Sequence, residues 1–209
     1  MTKAEPFERH TDRYDAWFEA YADVYRSEVA ALRRLTPETG DGIEIGVGTG
    51  RFAAPLGIEV GVDPATEMLV TARDRGIEPV EGIAESLPFA DGSFDVALIV
   101  TTVCFVDDVP RTLAEAHRVL RPGGSLVIGY IDEDTPVGRK YEELKENNPF
   151  YREATFVSTE QLVAELERVG FGEFEFVQTV YQWIDDVDGL EPINSGYGDG
   201  SFVGISGTK

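Results

Sequence analysis

GIEIGVGTGRF, residues 42–52, decides the fold. Gly42–Ile45 is a short apolar run that reads as a strand. Gly46, Gly48 and Gly50 follow it directly. Glycine lets a chain turn tightly and lets a ligand approach the backbone with no Cβ in the way. In an open α/β sheet, ligands bind at the carboxyl ends of the strands, near the point where strand order reverses. A glycine turn after the first strand sits at that point. The competing reading is a plain strand-to-helix turn, but three spaced glycines weaken local structure without a local reason.

Upstream, residues 7–35 read as one helix. Tyr14, Trp17, Phe18, Tyr21, Val24, Tyr25 and Leu32 fall mostly at spacings of three and four. Thr36-Pro37, with Gly40 and Gly42, ends it. Downstream, apolar runs over 58–62, 77–81, 94–101 and 125–131 read as strands. Helical patterns over 65–75 and 109–120 lie between them. The run 94–101 is almost continuously apolar, as a strand buried on both faces requires. This alternation implies a parallel sheet with helices on both faces. A charged helix is expected over 138–147. Ser158-Thr159-Glu160-Gln161 is a capping-box pattern that opens a helix through Val169. Residues 173–183 and 200–208 alternate like paired strands. The acidic, Gly- and Pro-containing stretch 184–198 between them reads as a loop.

Two cofactor types use a glycine turn of this kind. Dinucleotides use G-x-G-x-x-G, with backbone N–H groups and a helix N-terminus holding a pyrophosphate. Here the spacing is G-x-G-x-G, and Arg51 stands where that pattern wants its third glycine. The second strand ends in Gly61-Val62-Asp63. A carboxylate at that end can accept hydrogen bonds from both hydroxyls of a ribose. Asp63-Pro64-Ala65-Thr66 also reads as a helix start with proline in the first turn.

Four segments in order, EIGVGTGRF (44–52), GVDPATEML (61–69), AESLPFADGSFDVALIV (84–100) and EAHRVLRPGGSLVIGY (115–130), resemble class I S-adenosylmethionine-dependent methyltransferases. The resemblance is to the methyltransferase type 11 group, which includes the ubiquinone- and menaquinone-biosynthesis C-methyltransferases. It implies an α/β, Rossmann-like, seven-stranded, mostly parallel sheet with an antiparallel last strand and helices on both faces. It implies one domain: an N-terminal lid helix (1–39), a cofactor-binding core (40–131), and C-terminal helices with a strand hairpin (132–209). It implies S-adenosyl-L-methionine as cofactor and S-adenosyl-L-homocysteine as product. By the same resemblance, Glu44, Gly46, Gly48 and Gly50 line the methionine end, with Glu44 near the ammonium. Asp63 takes the ribose hydroxyls, with Pro64 beside it and Met68 near the adenine. Ala84 and Glu85 flank the adenine, with Leu87 nearby, and the backbone at Val100 and Thr101 approaches the methionine ammonium. Many relatives carry an Asp before the Ala-Glu pair. Here that position is Ile83, which leaves adenine recognition to backbone groups and apolar stacking.

Methyl transfer from a sulfonium is an in-line displacement that needs the acceptor placed against the methyl. An acceptor that is already nucleophilic needs no base, and the sequence nominates no catalytic residue. The resemblance borders the acceptor with the segment after the fourth strand, where Thr102, Cys104 and Phe105 stand, and with the lid helix. On that helix Tyr14, Trp17 and Tyr21 read first as the core-packing stripe of an amphipathic helix, and their apolar bodies with polar tips also suit a pocket wall. His117 reads as a surface or packing residue, and His10 precedes the lid. Asn148-Pro149-Phe150 reads as a helix stop.

The chain has 209 residues and a formal net charge of −21. A polyanionic surface disfavours nucleic acid and acidic membranes as partners. Four lysines against 14 arginines and 39 acids also fit a cytosol of high salt, where the charge describes the solvent. The polar N-terminus does not read as a secretory signal, so a cytoplasmic protein with a small-molecule substrate is expected. Cys104 is the lone cysteine, and no Cys/His spacing suggests a metal. A nicotinamide-dependent oxidoreductase and a non-catalytic binder of S-adenosylmethionine are the alternatives. The first lacks a Tyr-x-x-x-Lys-type hydride site.

Overall fold

The computed structural model describes residues 3–209. Three helices precede the sheet: α1 (Glu5–Arg9), α2 (Thr11–Ala20) and α3 (Ala22–Arg33). They correct the single helix expected over 7–35. The breaks fall at His10 (φ −130°, ψ 34°) and Tyr21 (φ −116°, ψ 48°). A straight helix of that length would extend roughly 40 Å. The break at His10 instead lets Phe7 of α1 reach Tyr14 of α2, with ring centroids 5.6 Å apart, and the break at Tyr21 lets α3 turn to pack on the sheet.

The sheet and its crossovers follow as β1 (Gly42–Ile45), α4 (Ala53–Leu56), β2 (Val60–Asp63), α5 (Thr66–Asp74), β3 (Glu78–Glu81), β4 (Phe94–Val100), α6 (Val109–Val119) and β5 (Leu120–Ile131). Then come α7 (Pro136–Leu144), α8 (Thr159–Val169), β6 (Gly172–Thr179), β7 (Asn194–Ser195) and β8 (Phe202–Thr208). Strand order is β3-β2-β1-β4-β5-β8-β6-β7. The first five strands are parallel, and β8 runs antiparallel to β5 and β6. The α/β Rossmann-like architecture is therefore as expected. The sheet has eight strands because the stretch expected as a plain loop over 184–198 contributes the two-residue β7. Val177 pairs with Ser195 and Gln178 with Asn194, which covers part of the otherwise open edge of β6.

β5 starts earlier than the expected 125. Phe94 pairs with Leu120 and Val96 with Ser125, so Arg121-Pro122-Gly123-Gly124 bulges out of the ladder. Ser158 and Gln161 form the expected capping box of α8.

Side chains alternate across the sheet. Ile43, Ile45, Ala97 and Ile99 pack with Leu113 of α6 and with Leu162 and Leu166 of α8. Val96, Leu98, Val100 and Val127 share the other layer with Leu32 of α3. Strand order reverses between β1 and β4. That switch point puts a crevice at their carboxyl ends. Among the described residues, no helix is long and apolar enough to cross a membrane.

Candidate active site

A cavity of about 540 Å³ runs along the carboxyl edge of the sheet. Its floor passes from Asp63 at the end of β2, under the turn after β1, to Val100–Thr102 after β4 and Ile131 at the end of β5. Helices α1 to α3 and α7, with the turn 148–151, close it from outside.

The glycine turn is built for close approach. Gly46, Gly48 and Gly50 all have positive φ, at 77°, 51° and 79°. A Cβ at Gly46 would collide with the Thr102 side chain. A Cβ at Gly48 would lie 3.6 Å from the Tyr14 ring and hydroxyl. Gly50 faces the other way, against Ile77 and Ala72 of the protein body. Thr101 also has positive φ, 48°, which costs a non-glycine residue about 1–2 kcal/mol. Its N–H is held by the Gly129 carbonyl at 2.7 Å, which pins the turn after β4.

Two acids sit beneath this turn. Asp63 accepts the Gly48 N–H on Oδ2 at 2.9 Å and the Ala65 N–H on Oδ1 at 2.8 Å. Burial raises its carboxyl and the two backbone hydrogen bonds pull it back, leaving it at about 6. Each carboxylate oxygen retains a free lone pair. Glu44 is 1% exposed. Burial pushes it well above the usual carboxylate value, against the Ala53 N–H that hydrogen-bonds it. Its Oε2 has no partner. An orphaned buried carboxyl oxygen, a second acid with free lone pairs and a glycine turn without Cβ atoms fit a ligand that brings hydroxyl and ammonium donors.

Of the residues nominated for the cofactor, Gly46, Gly48, Asp63, Pro64, Met68, Ala84, Glu85, Val100 and Thr101 line the cavity. Glu44, Gly50 and Leu87 stand behind its wall, where Leu87 is core. Glu85 spends its side chain elsewhere: Oε1 accepts the Asp107 N–H at 2.8 Å. Of the acceptor set, Tyr14, Trp17, Thr102 and Phe105 line the cavity. Tyr21 turns away and donates to Asp185 at 2.9 Å. Cys104 is buried against the Thr101 carbonyl, where burial pushes its thiol up to about 12. His117 packs edge-on against Phe171, and His10 edge-on near Phe150.

Sequence reasoning missed two groups. Asn148-Pro149-Phe150-Tyr151 is more than a helix stop, since Phe150 and Tyr151 enter the cavity beside Tyr141 of α7 and Glu28 of α3. For Glu28 the signal was legible, because an acid stands on the apolar stripe Val24–Glu28–Leu32. The second group is a latch. Asp15 of α2 receives Arg51 Nε at 2.9 Å, Arg75 at 2.8 Å and the Thr49 hydroxyl at 2.7 Å. Burial alone would raise this acid, but hydrogen bonds from Arg51, Arg75 and Thr49 hold it at about 2. Arg51, which breaks the dinucleotide spacing, thus ties the lid to the glycine turn.

Residues 43–128 match the family model described as "Methyltransferase domain". A Thermotoga maritima structure, described as a SAM-dependent methyltransferase and "possible histamine N-methyltransferase", is 47% identical, covers 99% of both chains and superposes with a TM-score of 0.96. An uncharacterized protein of Methanocaldococcus jannaschii is 43% identical over 97% of this chain and 98% of its own length. A demethylmenaquinone methyltransferase of Corynebacterium kroppenstedtii is 35% identical, over 52% of this chain and 48% of its own length. The quinone-methyltransferase likeness is therefore confined to about half of the chain. These findings set aside the nicotinamide and non-catalytic alternatives. The chain belongs to the class I S-adenosylmethionine-dependent methyltransferases, enzymes of methyl transfer that here act on a small-molecule acceptor.

Proposed function

We propose that both reactants share the one cavity, with the cofactor at the β1–β2 end and the acceptor at the β5 end. The observation that carries this reading is continuity: a single chamber spans Asp63 to Ile131. At the cofactor end, Asp63 accepts the ribose hydroxyls and the unpaired oxygen of Glu44 draws the methionine ammonium. The adenine lies against Met68, Ala84 and the half-exposed Ile83, with backbone groups in place of the carboxylate that an Asp would supply at position 83. When bound, S-adenosylmethionine supplies the electrophilic methyl.

The acceptor meets Tyr14, Thr102, Phe105, Phe150 and Tyr151, and the rest of the protein excludes water around it. The likeness to quinone methyltransferases covers only about half of the chain, so the acceptor is not taken to be a quinone. The net charge of −21 supports a small cytoplasmic substrate over a nucleic acid.

Calorimetry in high-salt buffer tests this reading. S-adenosylmethionine and S-adenosylhomocysteine should bind at micromolar affinity and NAD should not bind. Asp63→Ala should abolish the first two. Unchanged binding by Asp63→Ala would remove this placement of the cofactor.

A further inference from the structure

The acceptor end holds a carboxyl to which the reading above gives no role. Glu28 lies one helical turn before Leu32 on the same face of α3. Leu32 packs over β5, where a Cβ at Gly129 would lie 3.0 Å from it. One turn back puts Glu28 above the carboxyl end of β5, and there it lines the cavity while only 7% exposed. Phenols line the same cavity: Tyr14 from α2, Tyr141 from α7 and Tyr151 from the turn after it, while Tyr25, three residues earlier on α3, donates its hydroxyl to the Arg51 carbonyl. Glu44 lies below the β1 turn, behind the cavity wall. Among the described residues, no cation and no hydrogen-bond donor offsets the burial of Glu28, which pushes the carboxyl up to about 8. An unpaired buried acid is costly, and an apolar residue at this position of the stripe would pack without that cost.

We propose that Glu28 is a catalytic residue that receives the amino group of an amine acceptor, pairing with its ammonium and taking its proton before methyl transfer. This inference rests on the methyltransferase reading. Tyr14, Tyr141, Phe150 and Tyr151 supply aromatic faces that favour an organic cation.

The step balances. One ammonium N–H bond breaks and its proton passes to the Glu28 carboxylate. The freed nitrogen lone pair forms the new N–CH3 bond. The methyl–sulfur bond breaks with its electron pair going to sulfur. The products are S-adenosylhomocysteine and a methylated ammonium, and Glu28 returns its proton to solvent as they leave. A carboxyl with proton affinity raised towards that of an alkyl ammonium exchanges the proton without a large uphill step.

The test uses the whole protein with S-adenosylhomocysteine bound, titrated with 2-phenylethylamine, tryptamine and cyclohexylamine, and with 2-phenylethanol and 4-ethylphenol as matched non-amines. Wild type should bind at least one amine and neither non-amine. Glu28→Gln should weaken amine binding by about tenfold or more, as loss of a desolvated charge pair does. S-adenosylhomocysteine affinity should stay unchanged, which also shows that the variant folds. In turnover, the wild-type kcat/KM profile should bend near pH 8, and the variant profile should lose that bend. Equal amine binding by both proteins, no binding of any of the three amines, or transfer to 4-ethylphenol alone would overturn the role of Glu28. In each of these cases intact cofactor binding leaves the methyltransferase reading standing. Loss of S-adenosylhomocysteine binding in wild type would instead remove that reading and this inference together.

Discussion

At the β1–β2 end the cavity wall is centred on a turn of backbone, whereas at the β5 end it is side chain. The first wall is made of a glycine turn and the main chain after β4, with two acids beneath. The second is a set of rings, Tyr14, Phe105, Tyr141, Phe150 and Tyr151, around one carboxyl. A backbone wall tolerates little change, because every atom of it is also part of the fold. A side-chain wall can be re-cut without moving a strand. The contrast fits a cofactor common to a large family and an acceptor particular to a few members.

The largest effect should come from breaking the backbone wall. Gly46→Ala puts a Cβ into Thr102 at a positive φ. We expect a loss on the order of 1–3 kcal/mol in stability, seen as a lowered melting temperature, together with loss of S-adenosylmethionine binding. A Gly46→Ala protein that melts and binds like wild type would erase the contrast from this side.

On the side-chain wall, Phe150→Ala should raise the acceptor KM about tenfold and leave cofactor affinity within about twofold. That corresponds to roughly 1.4 kcal/mol of lost aromatic contact. Equal losses for cofactor and acceptor would mean that the two ends are not separable.

The latch joins the two walls. Asp15→Asn removes the charge that Arg51 and Arg75 share. The pair is partly buried, so the expected cost is about 1 kcal/mol after allowance for solvent screening. Faster proteolysis within residues 3–20 should accompany it, with smaller change elsewhere.

The effect sharpest in sign is the pH dependence of stability. The carboxyl of Glu28 is raised from 4.5 to about 8. The folded state therefore holds this proton more tightly than the unfolded chain does. Wild-type stability should fall as pH climbs from about 4.5 to about 8, by an amount on the order of a few kcal/mol at the upper end. Glu28→Gln carries no such term. The variant should melt close to wild type at pH 5 and above it at pH 9, in thermal scans without ligand. A gap that is constant across this range would mean that Glu28 ionises in the folded protein as readily as in the unfolded chain.

The sequence alone determined the β1–β2 end of the cavity. Gly46, Gly48 and Asp63 lie within 18 consecutive residues, and a strand, a glycine turn and a second strand meet through local connections whose geometry those residue types impose. It also determined the parallel sheet, because the alternation of apolar runs with helical periods admits few other layer arrangements. The lid was harder to read. The helical period over 7–35 is genuine, but nothing in a period reveals breaks at His10 and Tyr21 that exist to wrap a surface.

The β5 end of the cavity was decided only by tertiary structure. Glu28 and Tyr141 stand 113 positions apart, and Phe150 looks in sequence like the end of a helix. Cys104 and Tyr21, close in sequence to residues that line the cavity, face elsewhere. Whether a side chain on an amphipathic helix meets core or cavity depends on where other helices leave a gap. The packing of the whole chain sets that gap, and no short segment carries it.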